Sequence, residues 1–129
     1  MLFVFSATAI AKKIAYVGSD KVLVHQRRDS SDSLSKTREK SWDCFYNALL
    51  AIKARLVSEG IYDEVEKDYI NYALHFSLWN LNTLAQPTYD KLYNKLKTEW
   101  WQTLGIADKD ESYFYNKKEY AQFAKIMSE

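Results

Sequence analysis

Five bases and five hydroxyls crowd one short stretch of this chain. Arg27, Arg28, Lys36, Arg38 and Lys40 stand among Ser30, Ser31, Ser33, Ser35 and Thr37, just ahead of an amphipathic run that begins near Ser41. Guanidinium forks, hydroxyl donors and the free N–H groups of a helix start are what a phosphate needs. On the residues alone two readings stay open. The bases hold an anionic ligand, or Asp29, Asp32 and Glu39 pair with them in a solvated loop. His25 closes an apolar run at the edge of this loop and joins the same candidates.

Elsewhere the chemistry is thinner. Asp108-Lys109-Asp110 has the spacing of a metal-binding pair of carboxylates, but no apolar strand precedes it to hold the carboxylates rigid. A solvated interhelical loop is the expectation there. His75 falls within an apolar helical face and is expected to be a satisfied core residue. No second histidine or cysteine lies at ligand spacing, so a zinc site is not indicated. There is no Gly-rich phosphate loop, no Gly-x-Ser-x-Gly and no nearby Cys/His dyad. The aromatic runs Trp100-Trp101 and Tyr113-Phe114-Tyr115 are expected to pack in the core. Trp101, off the apolar stripe, is the exception and the best candidate for a ring that binds a sugar or a partner.

These residues need elements to position them. Leu2 to Lys12 is predicted as an apolar helix buried on several sides. The β-branched runs Ile14–Val17 and Lys21–His25, split by Gly18-Ser19-Asp20, predict two short strands and a turn. Trp42, Phe45, Leu49, Ile52 and Leu56 recur at helical spacing from Ser41 to Glu59, with Gly60 as terminator. Tyr62 to Leu84 reads as a central helix with Val65, Tyr69, Tyr72, Ala73, Phe76 and Trp79 on one stripe and Ile70, Leu74, Leu78 and Leu81 beside it. After Pro87, Thr88 to Leu104 turns Tyr89, Leu92, Leu96, Trp100 and Leu104 inward, and Gly105 follows. Asn116 caps a last helix from Lys117 to about Met127, with Glu119 answering in a capping box and Tyr115 stapled to Tyr120. The fold class is mainly α: an apolar N-terminal helix, a small two-stranded β element, then a bundle of about four helices.

With 129 residues, 47% of them hydrophobic, the chain can close one core, so a single domain over 1–129 is expected. Its 18 basic and 17 acidic side chains nearly cancel, which excludes a whole-molecule field drawing it to nucleic acid or an anionic membrane. Cys44, the one cysteine, cannot make an internal disulfide and is expected as a buried thiol in a reducing, cytoplasmic setting. Leu2 to Ala11 lacks the preceding positive charge and cleavage site of a signal peptide and is too short to span a bilayer.

Taken in order, Leu2-Phe3-Val4-Phe5, then Ala11-Lys12-Lys13-Ile14-Ala15-Tyr16-Val17, Val22-Leu23-Val24, Ser33-Leu34-Ser35-Lys36-Thr37-Arg38 and Phe45-Tyr46-Asn47-Ala48-Leu49 resemble the C-terminal part of bacterial family 2 glycosyltransferases of the GT-A fold. The Tyr113 to Tyr120 ending is similar to that family's tail. The resemblance covers nearly the whole chain, yet the catalytic signatures are missing: nucleotide-binding strands, an Asp-x-Asp after a strand, and an acidic pair ahead of the apolar helix. It implies that residues 1–40 are a remnant of the GT-A domain and 41–129 a helical extension.

Further expectations follow from the resemblance. The parent enzyme would transfer a sugar from a nucleotide-sugar donor to an acceptor hydroxyl, in cell-surface polysaccharide or glycoconjugate synthesis, while this chain alone would be inactive. Arg27, Arg28, Ser33, Ser35 and Arg38, with His25 as a weaker addition, would lie near the donor diphosphate. A divalent metal, Mg or Mn, would serve the parent enzyme, with none held by this chain alone. The expected partners are the nucleotide-sugar, the acceptor glycan and another copy of the chain meeting it through the apolar N-terminal helix, with no nucleic acid and no transmembrane segment. The expected location is the cytoplasm, at the inner membrane face. The competing expectation is a free-standing helical interaction module whose basic loop docks an acidic partner.

Overall fold

The computed structural model describes residues 11–13 and 39–129. The predicted strands and most of the predicted N-terminal helix lie outside them. Ala11, Lys12 and Lys13 are exposed and irregular.

Among the described residues, four helices pack around one core. The first, α1 (Cys44–Ser58), buries Phe45, Leu49, Ile52 and Leu56. Cys44 sits one residue ahead of that stripe and is exposed, contrary to the expected buried thiol. A 100° step per residue is enough to turn it out of the core. Trp42 precedes the helix and is half-buried. At the other end Glu59 caps the helix and Gly60 takes φ +72°, the left-handed region that a side chain disfavours. Gly60 N–H donates to Val57 O (3.0 Å) and Ile61 N–H to Leu56 O (3.1 Å), so orphan carbonyls of the last turn are satisfied.

The central helix α2 (Tyr62–Asn82) starts with Asp63 and Glu64, whose charges suit the positive end of the helix dipole. It buries Tyr69, Ile70, Ala73, Leu74, Ser77, Leu78 and Leu81. The Tyr69 hydroxyl donates to Leu49 O of α1 at 2.7 Å, and burial pushes that phenol well above its usual pKa. Trp79 does not join the core as expected; it is 48% exposed. Residues 72, 76 and 79 form a flank displaced from the buried stripe, along which Tyr72, Phe76 and Trp79 stack in sequence at 5.8 and 6.0 Å.

The third helix, α3, begins as Thr88–Lys95, passes through a π-helical turn at Leu96–Trp100 and closes with a short α-helical piece, Trp101–Thr103. The wide turn takes up extra residues, so Trp100 and its neighbour Trp101 are both buried although they are adjacent. Trp100 faces the start of α1, stacked with Tyr46 (4.2 Å, 4°) and Trp42 (5.7 Å, 19°). Trp101 lies edge-on to Phe123 of the last helix at 5.0 Å. Gly105, at φ +81°, then ends the rod as Gly60 ends α1: Gly105 N–H donates to Gln102 O and Ile106 N–H to Trp101 O.

The last helix, α4 (Lys117–Ser128), is capped by Asn116, whose side chain accepts from Lys118 N–H and Glu119 N–H. The expected capping box is half made, because the Glu119 carboxylate reaches across to His75 instead. The expected Tyr115–Tyr120 staple is replaced. Phe114 stacks on Tyr120 at 5.2 Å, while Tyr115 is exposed and donates its hydroxyl to Asp68. Buried Phe123 and Ile126 close the bundle. Among the described residues no helix is long and apolar enough to cross a membrane.

Candidate functional site

The predicted diphosphate ligands His25, Arg27, Arg28, Ser33, Ser35 and Arg38 lie outside the described residues. Their near edge does not. Glu39 accepts the Ala85 N–H at 3.0 Å, which ties the end of the basic segment to the corner between α2 and α3. A tight turn from Ser41 to Asp43 leads into α1; Cys44 N–H donates to Ser41 O and Tyr46 N–H to Asp43 O. Asp43 occupies the cap position without a side-chain cap bond.

Three other candidates are relocated. His75, expected in the core, has a side chain 61% exposed, with Nδ1 2.5 Å from Glu119 Oε1. Trp101, expected to meet a partner, is fully buried. Its indole Nε1 has no hydrogen-bond partner. The Asp108-Lys109-Asp110 loop is used internally. Asp110 accepts from the Ser112 hydroxyl at 2.5 Å, which holds its carboxyl below the usual range, and Lys109 pairs with Glu66 at 3.2 Å. No group of three or more His, Cys, Asp or Glu suited to a metal occurs among the described residues.

The polar constellation that the structure does assemble joins α2 to the segment before α4. Glu66 Oε1 takes both the Tyr113 hydroxyl (3.0 Å) and Lys109 Nζ. Asp68 takes the Tyr115 hydroxyl at 2.7 Å. Lys109 also lies 4.9 Å from the Tyr113 ring centre, and Lys67 5.3 Å from that of Tyr115, so cations sit over two phenol faces. Between them Asn71 donates to Lys67 O and Tyr113 O and accepts from Tyr115 N–H. Glu66, Asp68 and Asn71 thus all find partners within the chain, which makes this a clamp that holds the 108–116 segment on α2. Its partners are more than forty residues apart in sequence, and no local spacing announces it.

The clamp carries a pH signature. The Tyr113 hydrogen bond and the Lys109 charge hold the Glu66 carboxyl below its ordinary value of 4.5. A depressed folded pKa adds stability that is complete above the unfolded value and fades as pH falls through the folded one. Glu66→Gln should therefore narrow the loss of stability between roughly pH 5 and pH 3, read as the change in urea midpoint against the unsubstituted protein. The carboxylate is one-third exposed, so solvent screening keeps the effect modest. Equal acid slopes in the two proteins would remove Glu66 from this role.

No protein-family model matches the chain, and comparison with curated proteins and with solved structures finds no match.

Proposed function

We propose that the chain is the C-terminal region of a glycosyltransferase that moves a sugar from a nucleotide-sugar donor to an acceptor hydroxyl, with the helical bundle as its extension. The observation that carries this reading is the junction. The bundle starts at Cys44, close to where the resemblance to family 2 glycosyltransferases divides a GT-A remnant from a helical tail, and Glu39 anchors the end of the basic segment to the bundle. On this reading Arg27, Arg28 and Arg38 offset charge on the donor diphosphate through guanidinium forks, while Ser33, Ser35 and His25 add hydrogen bonds. The divalent metal and the catalytic carboxylates belong to other parts of the parent enzyme. Synthesis of cell-surface glycans, at the cytoplasmic face of a membrane, is the setting that the resemblance supplies.

Uridine diphosphate titrated into the isotopically labelled chain provides the test. Amide shifts are expected within residues 25–40, and Arg38→Ala should weaken the response about fivefold or more, the loss of one charge-assisted contact. A silent segment, or an unchanged response in the variant, overturns the donor-site role. A response to an acidic peptide alone would favour the interaction-module reading.

A further inference from the structure

Polar contacts run in a row along the seam between α2 and the α4 region. Asn71 accepts from Tyr115 N–H at 2.8 Å, His75 Nδ1 lies 2.5 Å from Glu119 Oε1, and Asn82 and Gln122 exchange amide hydrogen bonds at 2.8 and 3.3 Å. Only the middle contact joins two titratable side chains. Its carboxylate also has a second partner on its own helix. Asn116 and Glu119 stand at the spacing of a capping box, in which the Glu carboxylate takes the N–H of the cap residue. One half of that box is made, because Asn116 Oδ1 accepts from Glu119 N–H at 3.3 Å. The other half is not. Asn116 is exposed, and its N–H donates to no group among the described residues.

We propose that Glu119 is a pH-dependent switch: with His75 charged it ties α4 to α2, and with His75 neutral it turns back to cap α4 at Asn116 N–H. This inference goes beyond the proposed function and does not depend on it. Histidine is the side chain that ordinarily changes charge between about pH 5 and 8. As an imidazolium, the ring offers Glu119 a charge-assisted hydrogen bond, roughly twice as strong as a neutral one. Without that charge the advantage is lost, and Asn116 N–H, at the positive end of the α4 dipole, competes on better terms for the carboxylate. The His75 side chain is 61% exposed, so water replaces Glu119 as its partner when the carboxylate leaves. Among the described residues few other titratable groups surround the ring. From α4 come Glu119 and its chain neighbour Lys118; on α2 itself Tyr72 precedes His75 by one turn and Asp68, held by the Tyr115 hydroxyl, by two. The Asn71 and Asn82 contacts carry no charge, and Phe123 and Ile126 stay buried, so α4 keeps its place while its first turn changes partner.

Hydrogen exchange of the Asn116 amide in the intact chain, divided by its intrinsic rate at each pH, reads the switch. Its protection is expected to rise about threefold between about pH 5.5 and 8, the worth of one exposed ion pair. His75→Ala, which removes an exposed ring, is expected to show the higher protection at both pH values. Glu119→Ala is expected to show the lower protection at both. Equal protection at the two pH values in the unsubstituted chain overturns the proposal. A rise that persists in either variant also overturns it, since the charge on His75 or the Glu119 carboxylate is then not its cause.

Discussion

Trp101→Ala is expected to cost about 3–5 kcal/mol of folding stability, while Trp101→Phe costs about 1 kcal/mol or less. The indole is fully buried, packed edge-on against Phe123, and held there by the π-helical turn just before it. Truncation to alanine removes the largest fully buried side chain among the described residues and leaves a cavity between α3 and α4. The phenylalanine exchange has a different balance. It also leaves a smaller void, but it removes an Nε1–H that has no partner, and an unmade hydrogen bond costs about 1–3 kcal/mol in a buried site. The two terms oppose each other. Urea midpoints of the three proteins give the comparison. If the phenylalanine variant falls as far as the alanine variant, the indole N–H contributes to stability and is not an unsatisfied donor.

The same tryptophan shows why part of this fold could not be read from the sequence. Tyr89, Leu92, Leu96, Trp100 and Leu104 fit a regular helical period, so a straight helix predicts Trp101 on the outer side. The wide turn at Leu96–Trp100 departs from that period, and no residue type in Leu-Lys-Thr-Glu-Trp signals it. Helix starts and stops were more legible because their chemistry is local: Gly60 and Gly105 terminate as expected, and Asn116 caps as expected. Faces were less secure. His75 and Trp79 lie beside apolar neighbours in sequence, yet their helical positions turn them toward α4 and toward the outer flank. Cys44 misses its expected packing because one residue of register is 100° of rotation, whereas Tyr115 lies in the bend ahead of α4 and turns to Asp68 and Lys67 instead. The candidate diphosphate residues, from His25 to Arg38, fall outside the described residues, so the bundle contributes their boundary at Glu39. The Glu66–Asn71–Tyr113 clamp was invisible because it depends on contacts that only the folded chain brings together.

Asn71→Ala is expected to cost about 2–3 kcal/mol, more than its half-buried position alone would suggest. One side chain makes three hydrogen bonds: Nδ2 donates to Lys67 O at 2.8 Å and Tyr113 O at 3.0 Å, and Oδ1 accepts from Tyr115 N–H at 2.8 Å. Two of the three reach the segment that leads into α4, so the amide substitutes for a strand pairing where helix and loop meet. Each net hydrogen bond is worth about 1 kcal/mol, and the loss of both cross-links should also loosen the segment locally. Hydrogen exchange of the Tyr115 amide should rise well above the change set by global stability, because local opening no longer breaks that bond. Asn71→Asp distinguishes the contacts. It keeps an acceptor for Tyr115 N–H but turns a carboxylate toward the Tyr113 and Lys67 carbonyls, replacing two donor contacts by repulsion. Tyr115 should therefore remain protected in the aspartate variant relative to the alanine variant, even though its overall stability falls. Exchange at Tyr115 that is equally fast in both variants would mean that the bond to Oδ1 does not hold the segment, and that the Tyr113 and Tyr115 hydroxyls on Glu66 and Asp68 hold it instead.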